Sequence, residues 1–195
     1  MNTAPQAMPP PAGDAPFCRV FAAIALDDTI KARLADAQPD VAWVYPGNLH
    51  LSMVFLGDMP VHTLETVCRL VGETACATES FMMPVGGVGT FGATLSPRVI
   101  WAGVPALPVL ERIHHSLATA FAAHGWQSDS RAYRPHITLG RVRSGRGRAA
   151  LAGNVEKLQT MDFGAMTVTA LTLFRSVLKS DRAHYTALFE APLTA

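Results

Sequence analysis

The stretch NLHLSMVFLGD, Asn48 to Asp58, carries the decision about the fold. Leu49, Leu51, Met53 and Phe55 recur at every second position, the period of a β-strand, and form a face suited to packing against a helix. His50 and Ser52 then share the opposite face. One histidine beside one hydroxyl on a core strand is most often structural, since a single hydrogen-bond partner satisfies it. The pair gains meaning only if the chain repeats it. It does so in RPHITLGR, Arg134 to Arg141, where Ile137 and Leu139 point to the core and His136 and Thr138 to the other side.

The surroundings of the two stretches repeat as well. Before the first, FCRVFAAIAL reads as a buried strand and DDTIKARLADAQ as a helix, with Asp27 or Asp28 as N-cap and Ile30 and Leu34 at helical spacing. After it, Val61, Leu64, Val67, Cys68 and Val71 form the apolar stripe of a helix near 60–77, and FMMPVGGVGTF follows as a strand. The second half opens again with a strand, RVIWAGV, and a helix over about 105–124, whose Leu110, Ile113, Leu117 and Phe121 share a face and whose end Gly125 marks. Beyond RPHITLGR, a glycine- and arginine-rich turn leads to a short helix near 148–158. The alternating run MTVTALTLFRS and a last strand, HYTALFEAP, close the chain as a hairpin. This order predicts an α+β fold of two pseudo-symmetric lobes, each a small, mainly antiparallel sheet with helices on its outer face, and a central cleft carrying both His-x-Ser/Thr motifs.

Composition sets the outer bounds. The chain has 195 residues, 49% apolar and 16% charged, with net charge +1, enough for a sizeable core and no general disorder. Residues 1–16 hold five prolines and read as a flexible tail; residues 17–195 read as a single bilobal domain. Cys18, Cys68 and Cys76 have no metal-ligand spacing and read as free thiols in a reducing compartment. The start has neither the basic nor the apolar region of a secretory signal, and no apolar run reaches the ~20 residues that span a bilayer. A soluble, cytoplasmic protein without a membrane partner is expected, and a monomer.

If the lobes bring the two strands side by side, two imidazoles and two hydroxyls converge. Imidazole titrates near neutrality and serves as acid or base there, and a neighbouring hydroxyl can donate to a phosphoryl oxygen. Charge points the same way. Between Arg131 and Arg148 lie six arginines (131, 134, 141, 143, 146 and 148) and no acidic residue. The guanidinium fork suits phosphate oxygens, and the chain uses thirteen arginines against three lysines. Arg143, Arg146 and Arg148 fit a solvated loop that steers a polyanion, whereas Arg141 ends the strand carrying His136 and is the candidate phosphate contact.

The motifs HLSM and HITL, with the flanks NLHLSMVFLGD, RVIWAGV, RPHITLGR and SVLKSDRAHYTAL, resemble those of the 2H phosphoesterase superfamily. Within it they are similar to the bacterial RNA 2',3'-cyclic phosphodiesterases, also called 2'-5' RNA ligases, over about Phe17 to Phe189. That resemblance implies a metal-free, cofactor-free enzyme acting on RNA with a 2',3'-cyclic phosphate end and yielding a 2'-phosphate. It implies His136 as the proton acceptor, His50 as the proton donor, and Ser52, Thr138 and Arg141 on the phosphate. Run towards ligation, the same residues join a cyclic end to a 5'-hydroxyl. Ser52 departs from the family's more frequent threonine yet keeps the hydroxyl. KSDRAHY departs from a commonly glycine-bearing segment, so no function passes to Tyr185. Two alternatives stay open: a phosphodiesterase for a small cyclic phosphate (a cyclic nucleotide or ADP-ribose 1'',2''-cyclic phosphate), and a non-catalytic RNA-binding module.

Other residues suggest less. His114 and His115 read as helix boundary or surface positions; His62, His124 and His184 read as solvated, and none has a ligand at zinc spacing. GGVGTFG lacks the Lys-Ser/Thr ending of a phosphate loop and reads as a bulged strand. Among the aromatics, Tyr133 is the one best placed to touch a nucleobase, three residues before His136.

Overall fold

The computed structural model describes residues 16–36, 44–93, 96–127, 132–141, 155, 158–180 and 182–195. Among these, the chain order is β1 (Phe17–Ala25), α1 (Asp28–Asp36), a 3₁₀ turn (Pro46–Asn48), β2 (His50–Pro60), α2 (Leu64–Cys76), β3 (Phe81–Ala93), β4 (Ser96–Gly103), α3 (Pro108–Ala122), β5 (His136–Arg141), β6 (Asp162–Val168), β7 (Ala170–Leu178) and β8 (Ala183–Pro192). Asp27 caps α1 by accepting the Ile30 N–H at 2.7 Å. Gly125, with φ of 78°, follows α3 in the left-handed region that favours glycine. The proline-rich tail, the loop arginines 131, 143, 146 and 148, and most of the helix expected near 148–158 lie outside the described residues.

The strands form one eight-stranded sheet in the order β6-β3-β4-β5-β2-β1-β7-β8, with every neighbouring pair antiparallel. This corrects the expectation of two separate small sheets. The halves meet where β2 lies beside β5, through one register pair, Leu51 opposite Ile137. The order is nonetheless palindromic about that seam. Exchanging β1 with β4, β2 with β5, β3 with β7 and β6 with β8 maps each half onto the other. The equivalent strands β3 and β7 each cross over to the other half: β3 pairs with β4 and β7 with β1.

The run MTVTALTLFRS is not one strand. It breaks at Thr169 into β6 at one edge and β7 next to the far edge. In a flat sheet those strands would stand six spacings, roughly 29 Å, apart. A single residue between Val168 and Ala170 spans only about 7 Å. The sheet is therefore curled until its edges meet at one end. There the Leu193 N–H donates to Thr169 O at 2.8 Å, and the Ser80 N–H to Thr194 O at 2.8 Å.

The helices cover one face. Leu51, Met53, Ile137, Leu139, Val20, Ile24, Leu171 and Leu173 from the sheet join Ile30, Leu34, Val67, Val71, Leu110, Ile113, Leu117 and Phe121 from the helices in one buried core. α2 and α3 pack on each other and on the β7, β8 and β2 side, while α1 lies against β6. The other face is left for the polar residues of β2 and β5. No helix among the described residues is long and apolar enough to cross a membrane.

Candidate active site

Two bulges decide which side chains reach that open face. Ala23 pairs with Ser52 and Ala22 with Val54, so Met53 is an extra residue in β2. Trp101 pairs with Thr138 and Ile100 with Gly140, so Leu139 is the extra residue in β5. Each bulge lies three residues after its histidine. A bulge resets the alternation, so the residue at His+5 returns to the histidine's face. Arg141 reaches the cleft in this way. So does Phe55, at 50% exposed, which plain alternation had placed with the core leucines.

The imidazoles are held alike. His50 Nδ1 lies 2.7 Å from Asn48 O, and His136 Nδ1 lies 2.7 Å from Arg134 O. A carbonyl only accepts, so each Nδ1 carries a proton and each Nε2 is left to exchange one. The His50 Nε2 lies 2.9 Å from Ser52 Oγ; with the neutral ring, the hydroxyl donates to it. Each ring also has a phenylalanine from an equivalent strand: Phe174 near His50 at 6.3 Å between centroids, and Phe91 edge-on to His136 at 4.8 Å.

The environments then diverge. His50 lies among Phe21, Phe174 and Tyr185, the closest centroids being 4.8 Å for Phe21 and 5.4 Å for Tyr185. Burial lowers its pKa below the usual imidazole value; the Asn48 carbonyl opposes this, and the charge of His136 lowers it further. Phe21 is 3% exposed yet lies outside the helix-covered core, because it is buried on the open face beneath His50 and Phe55. Across the seam a cavity of about 700 Å³ is lined by Ser52 and Phe55 of β2 and by His136, Thr138, Arg141, Phe91, Tyr133, His114, Arg98 and Arg134 of the other half, with no carboxylate among its lining. Burial raises the Tyr185 phenol pKa and the positive charge of Arg141 counters it, so Arg141 acts electrically across the site towards the His50 half.

The chain matches the family model described as the 2'-5' RNA ligase superfamily over residues 23–179. The chain belongs to the RNA 2',3'-cyclic phosphodiesterase and 2'-5' RNA ligase superfamily. A relative from Methanothermobacter thermautotrophicus, named RNA 2',3'-cyclic phosphodiesterase, is 35% identical over 161 residues, covering 83% of this chain and 85% of the relative. Another of that name from Archaeoglobus fulgidus is 30% identical over 166 residues, covering 82% and 92%. Among solved structures, a Thermus thermophilus protein superposes with a TM-score of 0.76 at 28% identity, over 90% of this chain and 97% of that one. LigT of E. coli superposes with 0.74 at 26% identity, over 93% and 100%, and has also been solved with 3'-AMP and with phosphate.

The superfamily fold brings five of the six sequence-derived residues, Ser52, Tyr133, His136, Thr138 and Arg141, to the lining of one cavity, with His50 bonded to Ser52 at its margin. Sequence reading missed three groups. Phe21 carried a faint signal: it shares the parity of Arg19, opposite Val20, Ala22 and Ile24. Tyr185 carried none beyond its place in a late strand. His114, read as a boundary or surface residue, instead stacks on Tyr133 with centroids 4.2 Å apart and planes within 7°. Its spacing from Leu110 and Leu117 put it beside the buried stripe, which was the available clue. No group of three or more potential metal ligands was found among the described residues.

Proposed function

We propose that this protein hydrolyses 2',3'-cyclic phosphate ends of RNA to 2'-phosphates without a metal ion. The observation that carries the reading is the pair of imidazoles, each pinned through Nδ1 to the carbonyl two residues back, on one face of a pseudo-symmetric sheet with Arg141 beside them. In-line displacement at phosphorus needs a base and an acid on opposite sides. His136 Nε2 takes the proton of the attacking water as the new P–O bond forms. His50 Nε2–H gives its proton to O3' as the P–O3' bond breaks. Thr138 and Arg141 hold the non-bridging oxygens, where charge builds in the transition state. Ser52 joins them by turning its hydroxyl away from His50, which no longer accepts a hydrogen bond once Nε2 is protonated. Tyr133, in the cavity wall, flanks the nucleoside.

The relatives' name and the arginine-lined cavity support RNA as the substrate class, and the superfamily's ligase name supports the reaction with a 5'-hydroxyl in place of water. The test is incubation with a 2',3'-cyclic mononucleotide and with a short RNA ending in that group, both in EDTA. Turnover of the RNA to a 2'-phosphate is expected, unchanged by chelation. Turnover of the mononucleotide alone moves the assignment to a small cyclic phosphate. RNA binding without turnover of either overturns the enzyme.

A further inference from the structure

The β2 bulge is held by two side chains, His114, to which the mechanism above gives no role, and Tyr133, to which it gives only a place beside the nucleoside. His114, on α3, places Nδ1 2.9 Å from Met53 O, the carbonyl of the extra residue. A bulge takes that residue out of the regular ladder, and a buried carbonyl left without a donor is costly. Tyr133 stacks flat on His114, and its hydroxyl lies 3.2 Å from Met53 Sδ and 3.4 Å from Ser52 O. The opposite bulge is held too, but by main chain: the Val44 N–H donates to Leu139 O at 2.8 Å. One bulged carbonyl of this pseudo-symmetric pair is thus met by backbone and the other by an imidazole from the opposite half.

The place matters because the seam there is thin. β2 and β5 share one register pair, Leu51 with Ile137, and the two histidine motifs flank it. His114 and Tyr133 both belong to the half that carries His136, and both grip the strand that carries His50. We propose that His114, with Tyr133, is a positioning residue: it locks the Met53 bulge and so sets where Ser52 and Phe55 stand relative to the two catalytic imidazoles. The effect runs through β2. Misplacing a reacting group by about 1 Å costs up to ~10² in rate.

The inference rests on the phosphodiesterase reading for its kinetic arm, so its test includes a readout that needs no turnover. His114→Ala should lower kcat roughly tenfold or more while KM moves less than about twofold. His114→Asn should recover most of that loss, because its amide nitrogen stands near the Nδ1 position and still donates to Met53 O. Tyr133→Phe keeps the ring but loses the hydroxyl, and should fall between the two. In imidazole NMR spectra the His50 signal should shift in His114→Ala and return towards its wild-type position in His114→Asn, with thermal melting followed in parallel. A folded His114→Ala protein with unchanged kcat and an unmoved His50 signal overturns the proposal. If wild type turns over no cyclic phosphate, the reading of function falls and the His50 signal alone decides the positioning. Should His114→Ala not fold, Tyr133→Phe decides: wild-type kcat with an unmoved His50 signal overturns the clamp and returns Tyr133 to nucleobase contact alone.

Discussion

Read across the open face, the two halves place different chemistry at equivalent points. At the His+5 level one half presents Arg141, Val99 and Phe91 on neighbouring strands, and the other presents Phe55, Phe21 and Phe174. Backbone, bulges and imidazole anchoring match. The side chains make one half cationic and open and the other aromatic and close-packed. A duplicated frame thus delivers two histidines in the same tautomer to unlike surroundings, which is what unlike proton-transfer roles require. Desolvation among aromatic rings favours a neutral His50, while Arg141 puts positive charge into the cavity on the other half.

The largest test of this division removes its shared feature. His50→Ala and His136→Ala should each lower kcat/KM by about 10² to 10⁴ with melting temperature nearly unchanged, measured on a cyclic-phosphate RNA end. Full activity in either variant means the halves do not share one reaction. Next comes the charge: Arg141→Gln should cost roughly 10² in kcat, on the scale of losing one preorganised donor. Arg141→Lys should restore only part, since an ammonium lacks the two-pronged fork. Phe55, its counterpart, should show the reverse signature in Phe55→Ala, a change mainly in KM.

The hydroxyls form a finer contrast. Thr138→Ala should cost more in kcat than Ser52→Ala, each on the order of tenfold, if Ser52, bonded to His50 in the free protein, reaches the phosphate only by giving up that bond as proposed. Equal losses would mean that Ser52 does not switch partners. The smallest effect is in the pH profiles. His50 must be protonated to act as the acid, and its pKa in the free protein lies below the usual value. Hence kcat/KM should decline as pH rises through that lowered pKa. A bound phosphoryl anion favours the imidazolium, so kcat should decline at higher pH than kcat/KM. Coincident limbs would remove His50 from the acid role.

The parts of this arrangement that follow simple periodicity were legible in the chain. Alternation put His50 with Ser52 and His136 with Thr138, and helical spacing found the buried stripes of α1, α2 and α3. What alternation could not show was its own interruption. The apolar run Met53-Val54-Phe55 and the glycine after Leu139 are compatible with bulges but do not specify which residue is extra, so Phe55 read as core. Arg141 was chosen for its charge and its strand, while the bulge that turns it to the cleft went unseen. The apolar residues of MTVTALTLFRS change parity at Ala170–Leu171, after Met166 and Val168 and before Leu173, yet that slip alone does not show that the two parts pair at opposite sides of the sheet. Long-range contacts such as His114 to Met53 depend on which helix crosses which strand, and local sequence does not encode that.

The crossing of β3 and β7 between the repeats reaches into how the chain can be divided. A cut in the link between β4 and α3 leaves an N-terminal piece holding β3 and β4 without β5, and a C-terminal piece holding β7 and β8 without β1. Neither piece contains a complete half-sheet: β2, with His50, loses its neighbour β5, and β5, with His136, loses both of its neighbours, β4 and β2. The two pieces are obligate complements: mixed together they should rebuild the enzyme, as two subunits with exchanged strands would, and apart each leaves open edges and no active site.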